Sequence, residues 1–306
     1  MDGEVINIKD KNKKFQLSQN KYAKEFLKVA LKEKISIKEF NEAFDKLLDN
    51  TDKKNNYSYV GGNENNSSNI EVSSDPGRSI MERVTNGIDS VLERLFEEQL
   101  GQHKDNPPST PHKAAEKWLG IIESQGLKSL STSRRMEIAK DSLRLKIHDG
   151  DGPTDRIIDV YDQGTGIDQK DFKNTILSIS GTNKIRKKYV MGQYGQGGSS
   201  TFNYSKKTLI VSKTKDSDHL SFTIVWYEQP QADDDGLKVG NYRYLTENNL
   251  PLAISSSDIQ LTAGTKIRHI GYDSSKYKDK IGTMSIYGLT QRILFNPPIP
   301  FLIQYP

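Results

Sequence analysis

The chain has 306 residues, enough for one large domain or two ordinary ones. Its 44 Lys and Arg residues are nearly balanced by 40 Asp and Glu residues, so the net charge of +4 does not demand a nucleic-acid partner. The absence of cysteine excludes disulfides and thiolate metal sites, and the five histidines show no metal-ligand spacing. No apolar run approaches the ~18 residues of a membrane span, and no secretory signal is visible, so we expect a cytoplasmic chain without a membrane partner.

The first 75 residues predict a helical arm and a linker. A polar stretch over 1–18 indicates a loose arm or an edge strand around Val5–Ile8. Apolar residues then recur with helical spacing over 19–50, and Ser36 is placed to cap the second of two amphipathic helices. Packing or dimerisation is the role we expect for them. The Asn-, Ser- and Gly-rich stretch 50–79 predicts a long loop with a short strand at Tyr57–Val60 or Ile70–Val72.

A long helix is predicted from Ser79, its expected N-cap. Along it Glu82, Asn86 and Asp89 are spaced i, i+4, i+7 and therefore share one stripe. A stabilising surface ladder would pair Glu with Lys, and Asn and Asp have mediocre helix propensity, so the stripe favours a functional role. Capping by Glu82 is the alternative, and it explains one residue of the three.

The next segment predicts a helix and then a basic run. Breakers between Leu100 and Lys113 precede a predicted helix from about Ala114 to Ser124. The run Ser131–Lys146 carries several Arg and Lys residues, for which a solvated helix face is the usual explanation.

A buried strand over Arg156–Tyr161 ends at Asp162, which precedes Gly164 and Gly166. The two glycines allow a sharp turn and a close approach to another surface. A carboxylate at the end of a buried strand needs a partner, because an unpaired buried charge is costly. A plain strand-to-loop turn with an Asx-type hydrogen bond is the alternative.

A helix over Asp168–Ile179 is predicted next, followed by the polar, basic segment Asn183–Tyr189. The segment Gly192–Gly198 then places several glycines before Ser199, Ser200 and Thr201. Such a run offers backbone N–H groups as a phosphate cradle at a helix N-terminus. It is not a Walker motif, because no Lys-Ser/Thr closes it.

The remaining sequence is β-rich. Its alternating and apolar runs predict four strands, at Thr208–Lys213, Ser221–Glu228, Tyr242–Leu245 and Gly264–Ile270. The apolar end FLIQYP is unusual for a free terminus, and we expect it to continue in a longer protein.

Four motifs follow one another in a set order: Glu-x-x-x-Asn-x-x-Asp on the helix from Ser79, Asp-x-Gly-x-Gly after the central strand, the run Gly192–Gly198, and Gly264-Thr265. In this order the chain resembles the GHKL ATPase superfamily over roughly residues 75–270. That superfamily includes gyrase B subunits, Hsp90 chaperones, MutL, histidine kinases and MORC proteins. The style of the motifs is most similar to the Hsp90 and MORC branches.

The resemblance implies an α+β fold, the two-layer Bergerat sandwich. Its sheet would be mixed but mainly antiparallel, with helices on one face and the N-terminal helices in addition. It also implies a domain division: an arm and linker over 1–75, the ATP-binding domain over 76–275 and a connector toward a transducer or effector region over 276–306. Because 76 positions separate Asn86 from Asp162, the stretch of about 100–150 resembles an insertion.

The resemblance also implies roles for single residues. Asp162 would accept the adenine amine, helped by Thr265. Asn86 would hold Mg²⁺, Glu82 would activate the attacking water, and Asp89 would support the pocket. The other implied nucleotide-binding residues are Gly164, Gly166, Asn174, Gly192, Gln193, Tyr194, Gly195, Gln196, Gly197 and Gly198. The segment Asn174–Tyr189 would be a lid. Its cations Lys184, Arg186, Lys187 and Lys188 would neutralise phosphate charge or simply be solvated.

The implied activity is hydrolysis of Mg-ATP, with nucleotide-driven lid closure and homodimerisation acting on an effector. Glu82 points to hydrolysis rather than phosphotransfer, because histidine kinases tend to carry Asn at its position. No transducer lysine is recognisable, so slow turnover or a switch that binds ATP without hydrolysis is the alternative. A DNA-associated ATPase, as in MORC and MutL, has the basic segment 131–146 as its local support.

Overall fold

A nine-stranded sheet organises the described part of the protein. The computed structural model describes residues 16–51, 56–70, 75–99, 107–179, 187–192, 197–232 and 238–305. The strands are β1 (Tyr57–Tyr59), β2 (Leu143–His148), β3 (Arg156–Asp162), β4 (Ser205–Lys213), β5 (His219–Ala232), β6 (Lys238–Leu245), β7 (Leu252–Ser255), β8 (Gly264–Tyr272) and β9 (Leu302–Gln304). The predicted strand around Val5–Ile8 lies outside the described residues, as does most of Ile70–Val72.

The strand order is β1-β6-β5-β4-β8-β3-β2-β9, with β7 pairing with β5. Of the pairs described, β2 with β9 is parallel and the others are antiparallel. The prediction of a mixed, mainly antiparallel sheet is therefore confirmed. The four strands predicted after residue 205 all occur, each longer than its apolar run, because pairing with neighbours continues past it.

The α-helices of the described residues are α1 (Tyr22–Ala30), α2 (Ile37–Asp49), α3 (Pro76–Gln99), α4 (Pro111–Leu119), α5 (Thr132–Lys140) and α6 (Ile286–Ile293). The two predicted N-terminal helices are confirmed as α1 and α2. Ser36 caps α2, since its side chain accepts a hydrogen bond from the Glu39 N–H at 3.1 Å. Within these residues no helix is both long and apolar enough to cross a membrane.

The helices cover both faces of the sheet. α3, α4 and α6 share a core with the alternate residues of β2 and β3, among them Leu145, Ile158 and Val160. On the other face α1 and α2 pack on β4, β5 and β7. The N-terminal arm is thus a third layer, added to the two-layer sandwich.

A buried ion pair fastens this third layer. Arg268 of β8 donates through Nε and Nη2 to the two carboxylate oxygens of Asp159 on β3, both at 2.6 Å. Its Nη1 donates to the carbonyl oxygen of Ala30 at the end of α1, at 2.7 Å. Asp159 and Arg268 are both almost fully buried, so the pair joins two strands to the arm through groups that water does not reach.

The start of α3 corrects the prediction of a cap at Ser79. The helix begins at Pro76, and the Asp75 side chain accepts from the N–H groups of Gly77 and Arg78 at 2.9 and 3.1 Å. Ser79 lies inside the first turn, and its hydroxyl donates to the Asp75 carbonyl. Proline at the first helical position suits a helix start, because its missing N–H would have no partner there.

The bounds of α4 also differ from the prediction of Ala114–Ser124. The Thr110 side chain caps the helix by accepting from the Lys113 N–H at 3.1 Å, so α4 begins at Pro111. It ends before Gly120, whose φ of +72° is the left-handed conformation that stops a helix.

The basic run over 131–146 is not one helix face, which corrects another prediction. α5 takes its first half, and β2 takes Leu143–His148, where Leu143, Leu145 and Ile147 are buried and alternate with half-buried residues. This alternation in LRLKIH has the period of a strand.

The predicted helix over Asp168–Ile179 is wrong in type and length. A 3₁₀ helix spans Gln169–Asn174, and Thr175 leaves the helical conformation at φ −123° and ψ −96°. The Thr175 hydroxyl donates to the Asp171 carbonyl at 2.7 Å, a local bond that competes with helix continuation. The early end allows Phe172 and Leu177 both to enter the core.

The last described segment packs on the same sheet and on α3. Ile286, Leu289 and Ile299 belong to the core that contains α3. β9 pairs with β2 through Leu302 to Gln304. Neither α6 nor β9 was predicted from the sequence.

Candidate functional site

A cavity of about 210 Å³ lies between α3 and the neighbouring ends of β3 and β8. α3 contributes five residues, β3 and β8 contribute two each, and the rest come from the loops after β3 and from the start of the segment Gly197–Tyr204. The lining residues are Arg83, Asn86, Gly87, Ser90, Glu93, Val160, Asp162, Thr165, Gly166, Ile167, Asn174, Thr175, Ile176, Ser178, Gly198, Ser199, Thr265 and Ile267. Polar groups on this wall form two clusters, one around Asp162 and one around Gly198.

The first cluster is built by the register of two strands. Asp162, the last residue of β3, is paired with Thr265 of β8, and both side chains are buried. The Gly164 N–H donates to Asp162 Oδ1 at 2.9 Å, so the Asx-type turn and the pocket wall use the same carboxyl. Burial raises the pKa of Asp162 to about 7, against hydrogen bonds from Gly164 and Ser90 that lower it.

Ser212 of β4 holds this cluster in place. Its hydroxyl lies 2.9 Å from Thr265 Oγ1 and accepts from the Ile167 N–H at 2.8 Å. It also donates to the Gly264 carbonyl at 3.0 Å. One buried hydroxyl therefore ties β4 and β8 to the loop after Asp162, which leaves little freedom in the position of Thr265.

The two glycines after Asp162 are required for different reasons. A Cβ on Gly164 would lie 1.9 Å from Ser90 Oγ and 2.6 Å from the Ser90 backbone carbon, so glycine lets the turn touch α3. Gly166 has φ of +71°, and a Cβ there would lie 2.0 Å from the Lys213 carbonyl oxygen. Both positions exclude other residues unless the backbone moves.

The second cluster surrounds Gly198, at the start of a 3₁₀ helix over Gly197–Tyr204. A Cβ built on Gly198 would lie 2.9 Å from Arg83 Nη1 and 3.1 Å from Asn86 Nδ2. The missing side chain leaves a cradle between the backbone of this segment and two nitrogen-bearing side chains of α3.

Asp89 joins α3 to the segment before this cradle. Its two carboxylate oxygens accept from the N–H groups of Met191 at 2.6 Å and Gly192 at 3.0 Å. Asp89 is fully buried and does not line the cavity. It therefore fixes the backbone at Met191 and Gly192.

Comparison with known proteins gives one family. Residues 123–240 match the family described as "Histidine kinase-, DNA gyrase B-, and HSP90-like ATPase". Over these residues the chain carries a GHKL ATPase domain. No curated protein matches the chain. The family match covers β2 to β5 and the first residues of β6, and α3 and β8 lie outside it, although both line the cavity.

The structure brings many of the predicted site residues of this GHKL domain together. Six line the cavity: Asn86, Asp162, Gly166, Asn174, Gly198 and Thr265. Gly164 lies next to it through its bond to Asp162, and Gly192 donates to Asp89, which does not line the cavity. Gly197 begins the 3₁₀ helix beside the cavity, whereas Gln193, Tyr194, Gly195 and Gln196 lie outside the described residues.

Glu82 is placed differently. It lies one helical turn before Asn86 on α3, its side chain is exposed, and it does not line the cavity. Of the four lid cations, Lys184 and Arg186 lie outside the described residues. Lys187 pairs with Glu93 at 3.0 Å and Lys188 is exposed.

Four polar residues of the site were not predicted from the sequence. Ser90 and Ser212 support Asp162 and Thr265, and Glu93 lines the cavity. Arg83 also lines it and is 3% exposed. One signal could have found Arg83: it lies three residues after Ile80, on the apolar stripe of α3, where a cation is out of place.

The donors available for a metal are few. Among the described residues no group of three His, Cys, Asp or Glu side chains could hold an ion. Asn86 borders the Gly198 cradle through Nδ2, and the same side chain carries one amide oxygen. This fits Mg²⁺ in a nucleotide site, because that ion takes few protein ligands and completes its shell with water and phosphate oxygens.

Proposed function

We propose that this GHKL domain binds Mg-ATP and hydrolyses it. The observation that carries the proposal is the pairing of Asp162 with Thr265 in the wall of a cavity that also contains the Gly198 cradle. The buried Asp162 carboxyl accepts the adenine amine, and Thr265 supplies a second polar contact to the base. A buried polar group that is left unpaired by the wrong base gives such a site its selectivity.

The phosphates are placed at the second cluster. The backbone at Gly198 approaches them closely because no side chain fills the cradle. Mg²⁺ supplies positive charge to the phosphate oxygens when bound, and Asn86 is the residue that would hold it. Asp89 keeps the preceding backbone at Met191 and Gly192 in position.

Glu82 is the proposed general base. It precedes Asn86 by one turn of α3, so the two side chains are neighbours on the helix surface. A carboxylate at this place takes a proton from the attacking water. The presence of Glu82 and of the Gly-rich run supports the assignment of this protein to a hydrolysing branch of the superfamily, similar to Hsp90 and MORC proteins.

A second candidate is a switch that binds ATP without hydrolysing it. Glu82 is exposed and does not line the cavity, which favours the switch. In either case we propose that ATP closes the segment 174–189 over the site and promotes a homodimer that acts on an effector. We do not extend the proposal to DNA, because α5 and β2 divide the basic run and Lys146 pairs with Glu33.

The test combines binding and turnover. We expect calorimetry to detect Mg-ATP binding to the wild type and a phosphate-release assay to detect turnover. Glu82→Ala should abolish phosphate release and leave ATP affinity within about threefold, because a general base contributes to the transition state rather than to ground-state binding. Glu97→Ala, an exposed glutamate near the end of the same helix, is the control. Binding without phosphate release by the wild type would favour the switch, and equal turnover in wild type and Glu82→Ala would remove the role of Glu82.

A further inference from the structure

Arg83 is a buried cation without an anionic partner among the described residues. It is 3% exposed, on the inner face of α3. Its Nε donates to Thr201 Oγ1 at 3.1 Å, and its guanidinium carbon lies 5.1 Å from the centre of the Phe202 ring. In the part of the chain that the structure describes, Nη2 has no hydrogen-bond partner and no carboxylate lies within 4.0 Å of the guanidinium. A buried charge in this state destabilises the fold.

The surroundings of Arg83 do not neutralise its charge. Burial lowers the pKa of Arg83 to about 10, which leaves the guanidinium charged at neutral pH. The nearby His269 is fully buried, and its pKa is held well below the usual value by burial and by the charge of Arg83. His269 therefore stays neutral.

The position of Arg83 suggests a binding partner for its guanidinium. Nη1 lies 2.9 Å from the point where a Cβ of Gly198 would be, and Arg83 and Asn86 border the same cradle. Arg83 lines the cavity, and its Nη2 has no hydrogen-bond partner among the described residues. A guanidinium presents donors in a planar fork that matches phosphate oxygens.

We propose that Arg83 is a phosphate-binding residue of the ATP site, and that its guanidinium donates to the phosphate chain of the nucleotide. The assignment rests on the proposed ATP binding. Arg83 then supplies, from within α3, positive charge that needs no second domain. The uncompensated cation destabilises the unliganded fold, and the polyanion removes that cost on binding, so the nucleotide and the fold stabilise each other.

A structural arginine would behave differently, and Arg156 provides that comparison. Arg156 is also buried, but Nη1 donates to Ser274 Oγ and to the Tyr277 carbonyl, and Nη2 donates to the Lys278 carbonyl. Replacement of Arg156 leaves several acceptors without a donor. Replacement of Arg83 by an apolar side chain of similar length instead removes a charge that has no ionic partner among the described residues.

The experiment compares Arg83→Met, Arg83→Lys and Arg156→Met with the wild type. Isothermal calorimetry measures the affinities for adenosine and for Mg-ATP, and thermal unfolding without ligand measures stability. We expect Arg83→Met to weaken ATP binding roughly 10- to 100-fold, the usual effect of losing a hydrogen bond to a charged group, and to change adenosine binding by no more than about twofold. Its unfolding temperature without ligand should equal or exceed that of the wild type. Arg83→Lys should recover part of the ATP affinity, and Arg156→Met should unfold at a lower temperature with an unchanged ratio of the two affinities.

Several outcomes would overturn the assignment. Equal losses of adenosine and ATP affinity in Arg83→Met, or a lower unfolding temperature with an unchanged affinity ratio, would make Arg83 a structural residue while the proposed ATP binding stands. Failure of the wild type to bind either ligand would overturn the proposed function itself and this assignment with it.

Discussion

Asp162 and Thr265 lie opposite each other at the end of the antiparallel pair β3 and β8, and both are buried in the wall of one cavity. Thr265 is fixed by Ser212, and Asp162 by the Gly164 N–H and Ser90. An acceptor and a hydroxyl are therefore held side by side before any ligand arrives. Such preorganisation reduces the entropic cost of binding and favours one base over others.

The raised pKa of Asp162 predicts a pH-dependent stability. In the unfolded chain the carboxyl titrates near the ordinary aspartate pKa of 3.8, whereas in the folded protein its pKa is about 7. Between these two pH values the folded state therefore binds more protons than the unfolded state. The contribution of Asp162 to stability is complete below the unfolded pKa and is lost as the pH rises to about 7. Asp162→Asn does not titrate, so its free energy of unfolding should rise relative to the wild type by roughly 1 to 3 kcal/mol from pH 5 to pH 8. Urea unfolding at both values measures this, and a constant difference would contradict it.

Filling the cradle should separate phosphate binding from base binding. In Gly198→Ala the new methyl group meets Arg83 Nη1 and Asn86 Nδ2 at 2.9 and 3.1 Å. We expect ATP affinity to fall about tenfold or more through lost phosphate contacts, and adenosine affinity to stay close to that of the wild type. Calorimetry with both ligands measures the two effects. A parallel loss of adenosine binding would place Gly198 near the base instead.

Asp89 should act on the segment beside the cradle rather than on the nucleotide directly. Asp89→Ala removes the acceptor of the Met191 and Gly192 N–H groups. We expect faster hydrogen exchange at these two amides and weaker ATP binding, because the backbone at Met191 and Gly192 is released. Asp89→Asn, which keeps one acceptor oxygen, should show a smaller effect. Unchanged exchange at both amides would show that other contacts hold this backbone.

The ion pair on the opposite face of the sheet should matter for stability and not for binding. Asp159→Ala leaves Arg268 buried without its carboxylate, which should lower the free energy of unfolding by about 3 kcal/mol or more. Asp149→Ala is the matched control, because Asp149 pairs with Lys280 at the exposed surface and its loss should cost less than about 1 kcal/mol. Equal losses of unfolding free energy in the two variants, measured by urea unfolding, would show that the buried pair does not hold the arm in place.

The parts of the site that the sequence predicted are those coded by local pattern. A short apolar run predicts β3, and the glycines after Asp162 mark the turn. Glu82, Asn86 and Asp89 form a stripe on any helix that contains them. For the same reason the helices α1 and α2 were predicted well.

The contacts that depend on packing could not be predicted. Thr265 and Ser212 meet because β4 and β8 pair in one register, which the sequence does not state. The sequence marks Arg83 only as a cation on the apolar stripe of α3, and its burial beside Gly198 follows from the docking of that helix. β2 was missed because half-buried Arg144 and Lys146 alternate with its apolar residues and resemble a basic helix face. In each case tertiary structure decides what a local pattern leaves open.

The most direct test of the account measures adenosine binding to the wild type, Asp162→Ala and Asp162→Asn by isothermal calorimetry, with thermal unfolding as a check of the fold. Because adenosine has no phosphate, it reports on base recognition alone. We expect the wild type to bind adenosine and Asp162→Ala to bind about 100-fold or more weakly, because this variant removes the proposed buried acceptor of the adenine amine. Undiminished adenosine affinity in a folded Asp162→Ala variant would contradict it.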